Sequence, residues 1–334
     1  MVWSDLHAKI HRTIRSRHLF EHNQRLLVAV SGGQDSLCLI KLLLDLQPKW
    51  GWDLGIAHCD HRWRTDSEAN ANHVEKLAES LGVSFYLETA TQPLNSEAAA
   101  RNWRYEALSA IAQVNNYQYI VTGHTASDRA ETLLYNLMRG TGADGLQALT
   151  WRRTLSADIL LVRPLLEVTR RQTEQFCQQF HLPVWEDSTN QDVKYARNRI
   201  RQELIPYLQT NFNPKVESAL AQTAELLQAE VEYLEQAAHK LREEAMEGEV
   251  GSKGNGAELR LNRRVLQIAP LALQRRVMRQ LLQQILTDAP SFEHIEKLTA
   301  LIVAPNRSQT DPFPGGAIAQ VQGDWICLTT TPNF

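Results

Sequence analysis

Short apolar runs alternate with helical spacing through the first part of the chain. Leu26 to Val30, the stretch from Leu54 to His61 with His58, Asp60 and His61 at its end, Val83 to Leu87, and Tyr117 to Val121 read as strands. Between them, apolar residues recur three and four apart, predicting helices over 5–20, from Leu37 through Ile40 to Leu44, over 66–81 and over 96–115. A further helix runs from Ser127, read as its N-cap, to Met138. This alternation predicts an α/β fold with a doubly wound parallel sheet. In such sheets ligands sit beyond the carboxyl ends of the strands. Residues 151–166 follow as a strand or hairpin ending at Pro164, then a helix over 169–180 and a polar crossover over 183–206.

After residue 210 the pattern changes. Leu220, Ala224, Leu227, Val231, Leu234, Ala238, Leu241 and Ala245 form a heptad seam, with glutamates such as Glu225 and Glu235 outside it. A core-facing helix with a solvated acidic face is favoured over a free coiled coil, though the seam also admits a homodimer. Gly248 to Gly256 reads as a flexible loop, and residues 317–329 as a β-hairpin. Two domains are expected, 1–210 and a smaller, mainly helical 211–334.

Composition narrows the class. The chain has 334 residues, with 35 basic against 38 acidic side chains, so any nucleic-acid site must be a local patch. One such patch is 259–287, where Arg260, Arg263, Arg264, Arg275, Arg276 and Arg279 occur without an acid. Cys38, Cys59, Cys177 and Cys327 are far apart, which excludes a disulfide framework and disfavours a four-cysteine metal site. With no long apolar stretch and no signal-peptide pattern, a cytoplasmic protein is expected.

The chemistry centres on Ser31-Gly32-Gly33-Gln34-Asp35-Ser36, a glycine turn between strand and helix. Free backbone N–H groups and hydroxyls there suit a phosphate. The spacing is not that of a Walker A loop and no lysine precedes Ser36, so Asp35 is read as a magnesium ligand. This hexapeptide resembles the pyrophosphate loop of the PP-loop ATP pyrophosphatases, which split ATP between its α and β phosphates.

Further motifs are His58-Cys59-Asp60-His61 with Arg64, Arg101 and Arg104-Tyr105, Gly123-His124 with Asp128 and Glu131, Arg139-Gly140-Thr141-Gly142, Glu186 to Asn190, and Arg197 to Arg201. Together with the loop they resemble the bacterial tRNA(Ile)-lysidine synthetase family, in its short form, over about residues 25–208. The resemblance implies that ATP adenylates the wobble cytidine of an isoleucine tRNA with a CAU anticodon. Free L-lysine then displaces AMP to give lysidine. It implies an ATP site of Ser31, Gly32, Gly33, Gln34, Asp35, Ser36, His58, Arg101, Gly123 and His124, with Mg2+ on Asp35. Asp128 and Glu131, three apart on one helix face, suit lysine's ammonium, with Arg104 for its carboxylate. That face is expected to lie across the site from the pyrophosphate loop. Arg139, Arg197, Arg201, Arg275, Arg276 and Arg279 are expected to contact tRNA. The chain departs from the family pattern at Cys59, Arg62, Trp63, Thr125 and Arg129, which puts fine positioning in question rather than the reaction.

Two other readings stand beside this one. A PP-loop enzyme making 2-thiocytidine would need cysteines for sulfur or a cluster, and no Cys-x-x-Cys occurs. A non-catalytic RNA-binding protein holding ATP structurally would not need the pair Asp128 and Glu131.

Overall fold

The structure is a computed structural model that describes residues 3–62, 66–92, 96–185, 194, 196–247 and 258–329. Arg64, the motif Glu186 to Asn190 and the glycine-rich Gly248 to Gly256 lie outside the described residues. The chain divides into two compact units, Met1–Gln228 and Ala229–Phe334. The division falls beyond the 210/211 expected from sequence.

In the first unit, α1 (Asp5–Ser16) leads to β1 (Arg25–Ala29), α2 (Gln34–Trp50), β2 (Asp53–Asp60), α3 (Ser67–Leu81), β3 (Ser84–Thr89), α4 (Glu97–Val114), β4 (Tyr119–Thr122) and α5 (Ala126–Met138). A short α6 (Ala143–Leu146) precedes the hairpin β5 (Arg152–Ser156) and β6 (Ile159–Val162), then α7 (Arg170–Gln179). The six strands form one sheet in the order β3-β2-β1-β4-β6-β5. Every pairing is parallel except β5 on β6. Val28 of β1 stands opposite both Ile56 and Val121, at the sheet's centre. Alternate side chains of β1 enter opposite layers: Leu26 and Val28 pack with α1 and α2 residues such as Ile14 and Leu39, Leu27 with Leu108 and Ala112 of α4. Strand order reverses beside β1, so the crevice between the ends of β1 and β4 is the switch point where such sheets bind ligands.

Helix α5 begins earlier than expected. Its cap is Thr125 rather than Ser127: the Thr125 hydroxyl accepts from the Asp128 amide, and Asp128 returns a bond to the Thr125 amide. Ser127 is buried inside the helix and accepts from the Arg170 amide at 3.0 Å. Chain 196–211 continues as α8 (Ala196–Arg199), a π-helical turn Ile200–Leu204 and α9 (Ile205–Asn211).

The long α10 (Val216–Ala245) buries Ala224, Val231, Ala238 and Ala245, seven apart, so that half of the seam is core within the chain, while Leu220, Leu227, Leu234 and Leu241 are half-buried. Its acidic face is not wholly solvated either. Glu225 accepts from Arg129 and from the Trp151 indole at 2.7 Å each and from Arg17 at 2.6 Å. Arg129, only 1 % exposed, is thereby neutralised.

The second unit contains more strand than a terminal hairpin. The strands β7 (Met246–Glu247), β8 (Glu258–Asn262), β9 (Ile318–Gln322) and β10 (Trp325–Thr329) form an antiparallel sheet in the order β7-β8-β10-β9. Helices α11 (Arg263–Gln267), α12 (Leu271–Ile285) and α13 (Phe292–Ala300) complete the unit. Leu261, Val277, Leu281, Leu298, Val321 and Ile326 share its core. Four of the six arginines of 259–287 find acids elsewhere in the chain: Arg275 pairs with Glu296 at 2.6 Å, Arg264 with Asp324 at 2.8 Å, and Arg276 and Arg279 with Glu235, while Arg263 donates to the Ile302 and Ala304 carbonyls. The patch is therefore not an unrelieved positive surface. No helix among the described residues is long and apolar enough to cross a membrane.

Glu225→Gln leaves the buried Arg129 guanidinium without its counter-charge. The expected loss is about 3 kcal/mol, the low end for breaking a buried pair because Glu225 is partly exposed. It is read as a drop in the urea midpoint. Burial pushes the Glu225 carboxyl up, but hydrogen bonds from Arg129 and Trp151 outweigh it and hold it below the usual range. Its contribution is therefore complete above the ordinary glutamate pKa and lost as pH falls through the lowered one, and the variant should lack this acid-side step.

Candidate active site at the carboxyl edge of the sheet

The chain leaves β1 through a tight turn built on glycine. Gly32 has φ +87°, and a Cβ there would come within 2.5 Å of the Asn70 side-chain oxygen and 3.2 Å of Trp185 Cβ. Gly33 caps α2. The Ser36 hydroxyl donates to the Gly33 carbonyl at 2.8 Å and accepts from the Ser31 amide at 3.2 Å, which fixes the turn from inside. Ser31 itself is exposed. The loop after β4 presses directly on this turn. A Cβ on Gly123 would lie 2.8 Å from the Asp35 carbonyl oxygen and 3.1 Å from the Ser36 nitrogen, both backbone atoms. Only glycine permits that approach.

Three acids converge in this crevice on one guanidinium, that of Arg170 in the first turn of α7. Arg170 donates through Nε to Asp35 at 3.2 Å, through Nη1 to Glu131 at 3.0 Å and through Nη2 to Asp128 at 2.7 Å. Arg201, in the π-helical turn, adds two bonds to Glu131 at 2.8 and 2.9 Å. Thr173 donates to Asp35, and the other oxygen of Asp128 takes both the Thr125 amide and hydroxyl at 2.8 Å each. Asp128 and Glu131 thus do not lie across the site from the pyrophosphate loop; they share a cation with it. The sequence reading missed Arg170 and Thr173 altogether. Its only available signal was Thr169, which caps α7 and sets where its first turn begins.

Electrostatics separate the acids. Burial raises the Asp35 carboxyl, with the Asp128 charge adding to it, and the Arg170 and Thr173 bonds only partly offset this. Burial also acts to raise Asp128, but there the Arg170 charge and the Thr125 bonds prevail and hold the carboxyl below its usual range. His124 is driven to about 3 by desolvation and then by the guanidiniums of Arg163, Arg104 and Arg101, so it is neutral at physiological pH. Its Nδ1 is 2.8 Å from the Thr122 hydroxyl.

Other expected site residues have structural partners. Gln34 turns its amide to the Arg170 carbonyl and the Thr173 hydroxyl, at 2.9 and 3.1 Å, and so ties the loop to α7. His58 is buried with Nδ1 2.7 Å from the Val30 carbonyl, a strut under the turn. Arg104 donates to His61 Nε2 at 2.8 Å rather than joining Asp128 and Glu131; burial and this cation take His61 to about 4. Burial pushes the Tyr105 phenol up, but the guanidiniums of Arg163 and Arg101 outweigh it and hold it below its usual range, with Arg101 and Arg153 beside its ring. Arg201, expected to contact tRNA, pairs with Glu131 in the acid cluster. Arg139 and Arg197 flank the Tyr135 ring at 5.4 and 5.8 Å.

Asp35, Asp128 and Glu131 do not form a metal centre of their own, since no group of three or more metal-ligating side chains occurs among the described residues. Asp35 alone fits the magnesium habit of one carboxylate completed by substrate phosphates and water, and the Arg170 guanidinium beside it shows that its oxygen accepts a cation.

Gly123→Ala forces a methyl group into the α2 backbone, an overpacking of about 1–3 kcal/mol taken up by the turn. ATP affinity should fall at least tenfold with the far-ultraviolet circular dichroism unchanged; equilibrium binding of labelled ATP checks it.

Comparison with known proteins adds to this geometry. The PP-loop domain family matches residues 4–208, and the TilS substrate binding domain matches residues 261–324. The tRNA(Ile)-lysidine synthase of Nostoc sp. is 81 % identical over 334 residues, covering 98 % of this chain and 98 % of the relative. That of Synechocystis sp. is 51 % identical, again covering 98 % of each. The chloroplastic enzyme of Zygnema circumcarinatum is 36 % identical, over 90 % of this chain and 80 % of the relative. Among solved structures, the U34-tRNA thiolase NcsA from Methanococcus maripaludis, with its 4Fe–4S cluster, has a TM-score of 0.58 at 15 % identity; the match covers 66 % of this chain and 77 % of the thiolase and shows a shared fold. Matches of this extent and identity establish that the chain belongs to the tRNA(Ile)-lysidine synthase family.

Proposed function

We propose that this chain joins free L-lysine to the wobble cytidine of an isoleucine tRNA with a CAU anticodon, through an adenylated cytidine, with release of pyrophosphate and AMP. The observation that carries the assignment of roles is the meeting of Asp35, from the pyrophosphate loop, with Asp128 and Glu131, from α5, at the switch point of the sheet. These substrates fit a cytoplasmic enzyme.

The residues divide the work. ATP lies over the Ser31–Ser36 turn, its phosphates facing the free amides at the start of α2. Asp35 would hold Mg2+, which when bound supplies charge neutralisation to the phosphates. The Gly123 contact keeps the two loops close enough to bring cytidine and α-phosphate together. Attack by the ring carbonyl oxygen of cytidine on the α-phosphate then expels pyrophosphate. Lysine's ε-amine next attacks the activated ring carbon and AMP leaves. An ammonium with a reference pKa of about 10.4 must first lose a proton, and Asp128 and Glu131 are the carboxylates placed to hold it and accept that proton. For tRNA, Arg139 and Arg197 about Tyr135 combine guanidinium charge with a stacking face. Arg275, the most exposed of Arg275, Arg276 and Arg279, remains a candidate contact in the second unit.

The two half-reactions separate the roles. Asp35→Asn should abolish tRNA-dependent pyrophosphate release with the fold retained, whereas activity within a few-fold of wild type removes the metal role. Glu131→Gln should still adenylate tRNA, seen as lysine-independent pyrophosphate release, while the lysine KM rises about ten- to hundredfold from the loss of one charged hydrogen bond. Loss of adenylation in this variant would instead assign Glu131 to the ATP half.

Arg139→Gln combined with Arg197→Gln should weaken tRNA binding and flatten its salt dependence by about one log–log unit per lost phosphate contact. Filter binding across a salt series measures both.

A further inference from the structure

Arg170 is the cation that Asp35, Asp128 and Glu131 have in common, and the substrates of both half-reactions need those acids. The arithmetic of charge decides what this means. With Arg170 in place, Asp128 and Glu131 contribute two negative charges and Arg170 and Arg201 two positive ones. Their oxygens are also nearly filled. Asp128 accepts three bonds, from Thr125 twice and Arg170, and Glu131 accepts three, from Arg170 and from Arg201 twice. A lysine ammonium meets a charge-balanced pair with about one lone pair left on each carboxylate. Without Arg170 the pair with Arg201 carries one net negative charge and has two vacated lone pairs, which suits one ammonium.

The Asp35 bond is the weak point of this arrangement. At 3.2 Å it is the longest of the three, and it is made through Nε, on the stem side of the guanidinium. A cation and triphosphate brought to Asp35 oppose that contact twice: the cation repels the guanidinium at a few ångströms in a partly buried site, and the phosphates offer it a stronger acceptor. Arg170 also has somewhere to go, since its side chain is 26 % exposed while Glu131 beneath it is 3 % exposed.

We propose that Arg170 is a positioning residue that keeps the lysine-binding carboxylates closed until nucleotide engages Asp35, so that ATP binding opens the lysine site. The proposal rests on the assignment of lysine's ammonium to Asp128 and Glu131. It also gives the pair its basicity at the right stage. Arg170 is the strongest of the influences that hold the Asp128 carboxyl down against burial, so its withdrawal makes Asp128 a better proton acceptor when the amine arrives. The main chain of Arg170 is fixed independently of its guanidinium: its amide donates to Ser127 and its carbonyl accepts from Gln34. The side chain therefore moves on a rigid base.

The test is equilibrium dialysis of labelled lysine against the full chain, with and without Mg2+ and the non-cleavable α,β-methylene analogue of ATP. Wild type should bind lysine about tenfold or more tightly with the nucleotide present, and lysine should tighten nucleotide binding by the same factor, as linkage requires. Arg170→Gln, which removes the charge, should bind lysine without nucleotide about as well as wild type does with it, and the ratio should collapse to within about twofold. Arg170→Lys, which restores a cation, should recover part of the ratio. Equal lysine affinity of the wild type in both states overturns the proposal, as does an unchanged ratio in Arg170→Gln. Lysine binding lost in both states of that variant also overturns it, because Arg170 would then be a ligand of lysine. Should Arg170→Gln fail to fold, the wild-type protein still decides. The Arg170 Nε proton, followed by nitrogen-15 NMR, should be protected from exchange without nucleotide and lose protection when it binds; protection retained in the complex counts against the proposal. Lysidine formation on tRNA by the wild type, measured separately by mass, tests the underlying reaction, so the two failures are distinguishable.

Discussion

A single guanidinium balances the centre of this protein. Arg170 reaches Asp35 on α2 and Asp128 and Glu131 on α5, so two helices that begin at different strands of the sheet are tied through one planar group. Three buried or half-buried carboxylates at the carboxyl edge would repel one another strongly if left alone. Arg170, with Arg201 behind Glu131, reduces that excess to one negative charge, while the helix N-termini of α2 and α5 favour negative charge nearby. The same balance lets the three acids sit together at the crevice without ligand.

The geometry that allows this is backbone-deep. Gly123 rests against the carbonyl of Asp35 with no room for a methyl group, which sets the separation of the β1 and β4 loops and hence of the two acid groups. Strand order then explains why these loops and no others meet. β1 is central, its neighbours β2 and β4 depart to opposite sides, and the crevice opens where they part. Gln34, expected at the ATP site, and Ser127, expected as the cap of α5, anchor α7 from either side and so hold Arg170 in register.

Elsewhere the fold pairs arginines with acids remote in sequence. Arg129 is enclosed and neutralised by Glu225 in the first unit; in the second, Arg276 and Arg279 share Glu235. Both glutamates stand on α10, which buries Ala224, Val231, Ala238 and Ala245 of its apolar seam. Two departures from the family pattern make sense in these terms. Thr125 supplies the cap and two bonds to Asp128, and Arg129 supplies the link to α10, so both residues act on the placement of α5.

The sequence by itself determined the class of the sheet, the pyrophosphate turn, the helix that carries Asp128 and Glu131, and the family. Those signals are local: apolar period, glycine spacing and an i,i+3 pair are all written within about twenty residues. It did not show the strand β8, because an isolated Leu259 to Asn262 is too short to reveal its partner β10, which lies across the length of α12 and α13. It described an arginine patch without acids and an acidic helix face without cations, because charge partners are chosen in space. Above all it was silent on Arg170, which stands 135 residues from Asp35 and 42 from Asp128 in the chain. No spacing rule connects such positions. Only the folding of the sheet, which brings the starts of α2, α5 and α7 to one crevice, turns an ordinary arginine in the first turn of a helix into the counter-charge of the whole site.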